Sequence, residues 1–83
     1  MKSATLSSYW KAYRSLDDTV KRSVKKAYRP WEQNPFHPSL QFKCINDEEH
    51  IWAVRITIGI LEGDTVMWFW VGNHDAYQRF FLS

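Results

Sequence analysis

Pro35 and Pro38 punctuate the run Asn34-Pro35-Phe36-His37-Pro38-Ser39, and no helix continues through it. Each proline lacks a backbone donor and pushes the residue before it toward extended conformations. The run is a stiff connector, and the hydrophobic period changes across it. Ahead of it, Leu6, Tyr9, Trp10, Tyr13 and Leu16 recur at three- and four-residue spacing, which predicts a helix over about 5–16. Asp17 is placed to cap a second helix over about 18–33, whose apolar stripe is Val20, Val24, Ala27, Tyr28 and Trp31. Pro30 opposes the carbonyl of residue 26 and predicts a kink or a stop at Arg29.

After the connector the pattern alternates. Leu40, Phe42 and Cys44 predict a strand over about 40–46, followed by a polar turn from Asn46 to Glu49. Trp52, Val54, Ile56, Ile58 and Ile60 occupy successive even positions, and no residue pair between Arg55 and Leu61 has good hairpin-turn chemistry. These residues predict one strand over about 50–61, roughly 35 Å long at ~3.3 Å per residue. Glu62-Gly63-Asp64 reads as a tight turn. A strand over about 64–72 is apolar on both faces, Trp68 and Trp70 on one and Met67, Phe69 and Val71 on the other. A short helix over about 74–82 ends the chain. Together these elements describe a single α+β domain over 1–83.

A chain of 83 residues has little core to draw on, yet aromatics make up 17% of it. That excludes a disordered or low-complexity segment. No apolar run is long enough to span a membrane and no secretory signal is evident, so the expected compartment is the cytoplasm. One cysteine, Cys44, excludes an internal disulfide, and its alternation with Phe42 predicts a buried structural thiol. His37, His50 and His74 lack metal-ligand spacing, so neither a metal nor another cofactor is expected. Net charge is only +2, but eight of the eleven Lys and Arg lie within residues 1–29. Lys21, Arg22, Lys25, Lys26 and Arg29 cover the polar side of the second helix. They suit a solvated face first, and nucleic acid or an acidic partner as the alternative. Arg55, on the polar face of a strand, could hold a phosphate bidentately or pair with Glu62 or Asp64. His74 follows a strand end and a glycine, where functional side chains often project, although a lone loop histidine is more often structural.

Four segments resemble the RelE/ParE-type toxins of bacterial toxin–antitoxin pairs. They are Ala27-Tyr-Arg29 ahead of Trp31, Asn34-Pro-Phe-His-Pro-Ser-Leu-Gln-Phe-Lys43, Trp52-Ala-Val-Arg-Ile56, and Gly63-Asp-Thr-Val-Met-Trp-Phe-Trp-Val-Gly-Asn-His-Asp-Ala-Tyr77. The resemblance runs from Trp10 to Phe81. It implies a two-helix hairpin packed on a twisted antiparallel sheet, a cognate antitoxin as partner, and either ribosome-dependent cleavage of mRNA or poisoning of gyrase. In the nuclease branch it assigns the catalytic positions to Arg55, His74 and Tyr77. Arg55 would hold phosphate, His74 would transfer a proton, and Tyr77 with Lys43 would position RNA. The cations of the second helix would add RNA contacts.

One departure stands against the nuclease reading. Relatives insert a turn and a Tyr-Arg-containing hairpin arm after the Arg-Ile strand, and here Thr57-Ile58-Gly59 passes directly into Ile60. The missing arginine is a charge-stabilising group of the kind worth a few kcal/mol, roughly, in a transition state. The departure implies impaired or absent nuclease activity. It leaves a catalytically inactive toxin-fold binding module and a gyrase-type poison as alternatives. It also suggests a strand-swapped homodimer, because a single long strand over 51–61 would project beyond its own sheet.

Overall fold

The computed structural model describes residues 2–82, with side chains through Arg79. The chain runs β1 (Lys2–Thr5), α1 (Ser7–Arg14), α2 (Asp18–Gln33), a 3-10 turn (Pro38–Leu40), β2 (Lys43–Asn46), β3 (Ile51–Val54), β4 (Thr57–Glu62), β5 (Thr65–Val71) and α3 (His74–Leu82). The strands form one mixed sheet in the order β1-β5-β4-β3-β2. Helices pack on both of its faces, so the α+β class holds, but the sheet is not wholly antiparallel. β1 lies parallel to β5, pairing Lys2 with Thr65 and Thr5 with Trp68.

The first helix is shorter than its periodicity suggests, because residues 2–5 belong to the sheet edge. Lys-Ser-Ala-Thr has no apolar alternation and is held by backbone pairing with β5, supplemented by the Thr5 hydroxyl accepting from the Trp10 indole N–H at 2.9 Å and by the contact at 2.6 Å between the Ser3 and Tyr28 hydroxyls. Leu6 N–H extends that pairing to the Trp68 carbonyl at 2.9 Å. At the start of α2, the Asp17 carboxylate accepts from Val20 N–H at 2.9 Å. Pro30 neither stops nor ends this helix. It lies in the last turn, Asn34 N–H closes onto the Pro30 carbonyl at 2.8 Å, and the next residue, Trp31, is wholly buried. Trp31 packs edge-on against Trp68, with ring centroids 5.1 Å apart, and against Phe42 at 5.7 Å. That burial outweighs the single helical bond proline forfeits.

The strand expected over 40–46 begins later, at Lys43, because His37 caps a 3-10 turn and Gln41 turns left-handed at φ 53°. Cys44 sits exposed on β2, an edge strand, rather than buried. The single strand expected over 50–61 is instead two. The chain reverses at Arg55-Ile56, with Arg55 left-handed at φ 54°, and Val54 pairs directly with Thr57. The reversal takes place within the monomer, so the long projecting strand that motivated strand exchange is absent. It also changes which positions face the core. Because Val54 opposes Thr57, the even residues before the turn and the odd residues after it share a face. Val54 and Leu61 pack with the helix-side core, whereas Ile58 packs on the other side.

Trp68 and Trp70 likewise lie in different clusters. Gly59 pairs with Trp68 and Ile58 with Trp70, leaving Phe69 as the extra residue of a bulge. The Phe69 carbonyl accepts from the Ser8 hydroxyl at 2.8 Å, which ties α1 to the bulge. Under α1 and α2 the core comprises Tyr9, Trp31, Phe42, Val54, Val66, Trp68 and their neighbours. On the opposite face Ala53, Ile58 and Tyr77 of α3 form a smaller cluster. The indole nitrogens of Trp31 and Trp68 are buried with no hydrogen-bond partner among the described residues. Each such orphan donor costs about 1–3 kcal/mol.

Candidate functional site

Two short connections meet at one end of the sheet, and the residues there determine what a ligand would encounter. Gly72 N–H donates to the Ile56 carbonyl at 3.2 Å, which fastens the end of β5 to the β3–β4 turn. Immediately beyond Gly72, the Asn73 side chain caps α3 by accepting from Ala76 N–H at 2.8 Å. The Arg55 turn and the first residues of α3 are thereby brought side by side. A methyl on Gly72 would run into the Trp70 ring, so the close crossing depends on glycine.

A cavity of about 380 Å³ opens at this junction. Lys43, Arg55, His74 and Tyr77 all line it, contributed by β2, the hairpin turn and α3. Its remaining polar wall comes from Ser23 of α2, Ser39, Gln41 and Thr57. No aspartate or glutamate is among its lining residues. Two fixed cations and a histidine facing no carboxylate constitute an anion-binding environment. The Arg55 guanidinium lies 3.5 Å from the Ser39 carbonyl, a long contact that leaves most of its donors uncommitted to that carbonyl. Asp64, one of the carboxylates considered for Arg55, instead faces Lys2 at 4.0 Å. Tyr77 is buried, and burial pushes its hydroxyl above the ordinary tyrosine value, so it is a neutral donor at neutral pH.

The other histidines lie elsewhere. His37 Nδ1 accepts from Ser39 N–H at 3.2 Å and caps the 3-10 turn. His50 closes the β2–β3 turn with φ 56° and is exposed. No group of three His, Cys, Asp or Glu among the described residues could hold a metal ion. The five cations of α2 do not join Lys43 and Arg55. Lys21 Nζ sits 5.6 Å from the centre of the Tyr13 ring, and Lys25 and Arg29 line a different cavity. Arg22 and Lys26 are exposed and line neither cavity. The face of α2 that reaches the site is Ser23, Val24 and Ala27. Ser23, Ser39, Gln41 and Thr57 escaped the sequence reading because isolated hydroxyl and amide residues carry no spacing signal.

Among the described residues no helix is long and apolar enough to cross a membrane. Comparison with protein families, with curated proteins and with solved structures finds no match for this chain.

Proposed function

We propose that this chain is a toxin of the RelE/ParE type whose cationic cavity engages the RNA phosphodiester backbone. One observation carries the reading: Lys43, Arg55, His74 and Tyr77, distant in sequence, line a single cavity free of carboxylates. A phosphodiester needs cationic charge at its nonbridging oxygens, a proton acceptor for the attacking hydroxyl and a proton donor for the leaving oxygen. Arg55 and Lys43 supply the charge. His74 supplies the proton relay, since histidine is the side chain suited to exchange near neutral pH. The neutral Tyr77 hydroxyl donates to a phosphate or ribose oxygen. In this scheme the ribose 2′-oxygen bonds to phosphorus, the bond to the 5′-oxygen breaks, and a cyclic phosphate and a 5′-hydroxyl result. A metal ion is not required for that chemistry. The second helix plays a smaller part than its charge suggests, because its cations line no part of the cavity.

A cognate antitoxin fits this reading as the neutralising partner. Induced expression in a bacterial host, with growth and message integrity followed together, tests it. Growth arrest with mRNA cut slowly, as the missing hairpin arginine implies, and abolished by Arg55→Ala and by His74→Ala, is the expected result. Arrest with intact mRNA would favour a gyrase-type poison, and normal growth would favour a non-catalytic binding module, as the shortened hairpin allows.

A further inference from the structure

A second cavity, of about 540 Å³, lies between β1, α1 and α2, separated from the first by a shared wall of Val24, Ala27, Val54 and Thr57. Its volume is that of a small-molecule site. The wall is aromatic, with Tyr9, Tyr13, Tyr28, Trp31 and Trp68 all contributing. Among these, Trp31 is 0% and Trp68 3% exposed, and neither indole nitrogen has a hydrogen-bond partner among the described residues. Lys25 and Arg29 line the cavity as well, and no carboxylate does. Tyr28 is fixed in place by its hydroxyl, 2.6 Å from the Ser3 hydroxyl of β1 and 3.3 Å from Glu32.

Lys25 and Arg29, exposed and with no carboxylate beside them in this lining, call for negative charge, whereas the rings, of which Trp10 and Tyr28 are the exposed ones, call for a flat apolar body. We propose that this cavity binds a small apolar molecule carrying one anionic group, of the aromatic carboxylate class. The carboxylate lies toward Lys25 and Arg29, and the ring system lies against Trp10, Tyr13 and Tyr28. The assignment is independent of the RNA reading, because none of Lys43, Arg55, His74 and Tyr77 lines this cavity.

The test uses 2-naphthoate and its uncharged analogue 2-naphthamide with the full chain. Calorimetry should show saturable one-to-one binding of naphthoate, and at least a ten-fold weaker interaction with naphthamide. Nuclear magnetic resonance should show the indole N–H signal of Trp10, the exposed tryptophan of this lining, moving on titration, while those of Trp52 and Trp70 stay in place. The double variant Lys25→Gln with Arg29→Gln changes two exposed positions and should weaken naphthoate at least ten-fold without altering naphthamide. Absence of saturable binding, equal affinity for the two probes, or shifts confined to Trp52 and Trp70 would overturn the proposal. The comparison of probes on the unaltered chain decides the charge requirement even if the double variant folds poorly.

Discussion

Replacing Gly59 with alanine should cost this domain about 2 kcal/mol, and the structure says why. An added methyl would lie 2.6 Å from Val66 Cγ1, 2.7 Å from Trp68 Cε3 and 3.0 Å from the Met67 carbonyl oxygen. Comfortable carbon–carbon contacts begin near ~3.5 Å, so two overlaps approach an ångström. Neither neighbour can swing away, since Val66 is 0% and Trp68 3% exposed. The third is backbone, held by pairing between β4 and β5. Overpacking of a rigid core costs about 1–3 kcal/mol, and these overlaps belong at the upper end. Alanine recovers roughly 0.5–1 kcal/mol of the entropy glycine forfeits in a strand. A net loss of about 2 kcal/mol lowers the melting temperature of a chain this size by roughly 8–16 °C. Gly63→Ala is the comparator: no atom lies within 4 Å of its added methyl, and only the left-handed backbone at φ 62° opposes it. Its loss should be nearer 1 kcal/mol, about that of a left-handed alanine. Thermal melts followed by circular dichroism, with urea midpoints, measure both. Gly59→Ala melting at the parent temperature, or above Gly63→Ala, would show that Trp68 does not lie across Gly59.

Other expectations follow from named contacts. Arg55→Gly relieves a left-handed arginine at φ 54° while removing the guanidinium, so melting temperature should hold or rise while the RNA cleavage proposed for this site is lost; a parallel fall in both would assign Arg55 a structural role instead. Asp17→Ala removes the carboxylate accepting from Val20 N–H and should cost about 1 kcal/mol in urea denaturation, with Asp17→Asn losing less. Burial raises the Tyr9 and Tyr77 hydroxyls above the usual 10.0, so the folded chain holds these protons more tightly than the unfolded one. The stability tied to them is complete below pH 10.0 and is lost as pH rises through the folded values. Alkaline melting curves should therefore fall less steeply in Tyr9→Phe than in the parent.

The helical half was legible because its signals are local. Asp17 and the stripe from Val20 to Trp31 locate α2 without any tertiary knowledge, and its passage through Pro30 needed only the burial of Trp31 to be understood. The sheet was legible as a sheet but not in its register. Arg55-Ile56 carries no turn chemistry, and its two-residue reversal exchanges odd and even positions, so an unbroken run of even apolar residues read as one strand. The bulge at Phe69 shifted parity a second time and parted Trp68 from Trp70. β1 was illegible because Lys-Ser-Ala-Thr carries no apolar alternation, and its backbone pairing and polar side-chain contacts leave no periodic signal. The convergence of Lys43, Arg55, His74 and Tyr77 on a cavity depends on the turn and on the Gly72–Ile56 hydrogen bond, which no spacing rule reports.

The parallel pairing of β1 with β5 sets the order in which this chain can be completed. Lys2 waits for Thr65, and Thr5 for Trp68, although both α-helices beneath them are made long before. During synthesis the residues of β1 emerge well before those of β5 and lack this strand partner until β5 arrives. The ring that this contact closes spans most of the chain, so its entropy cost comes late and in a single step. Such topologies have high contact order and fold slowly for their size. A nascent chain stalled before residue 65 would hold two amphipathic helices over an unfinished sheet, exposing Trp31 without Trp68 to cover it. This domain should therefore acquire protease resistance abruptly, once β5 is free to pair, rather than progressively along its length.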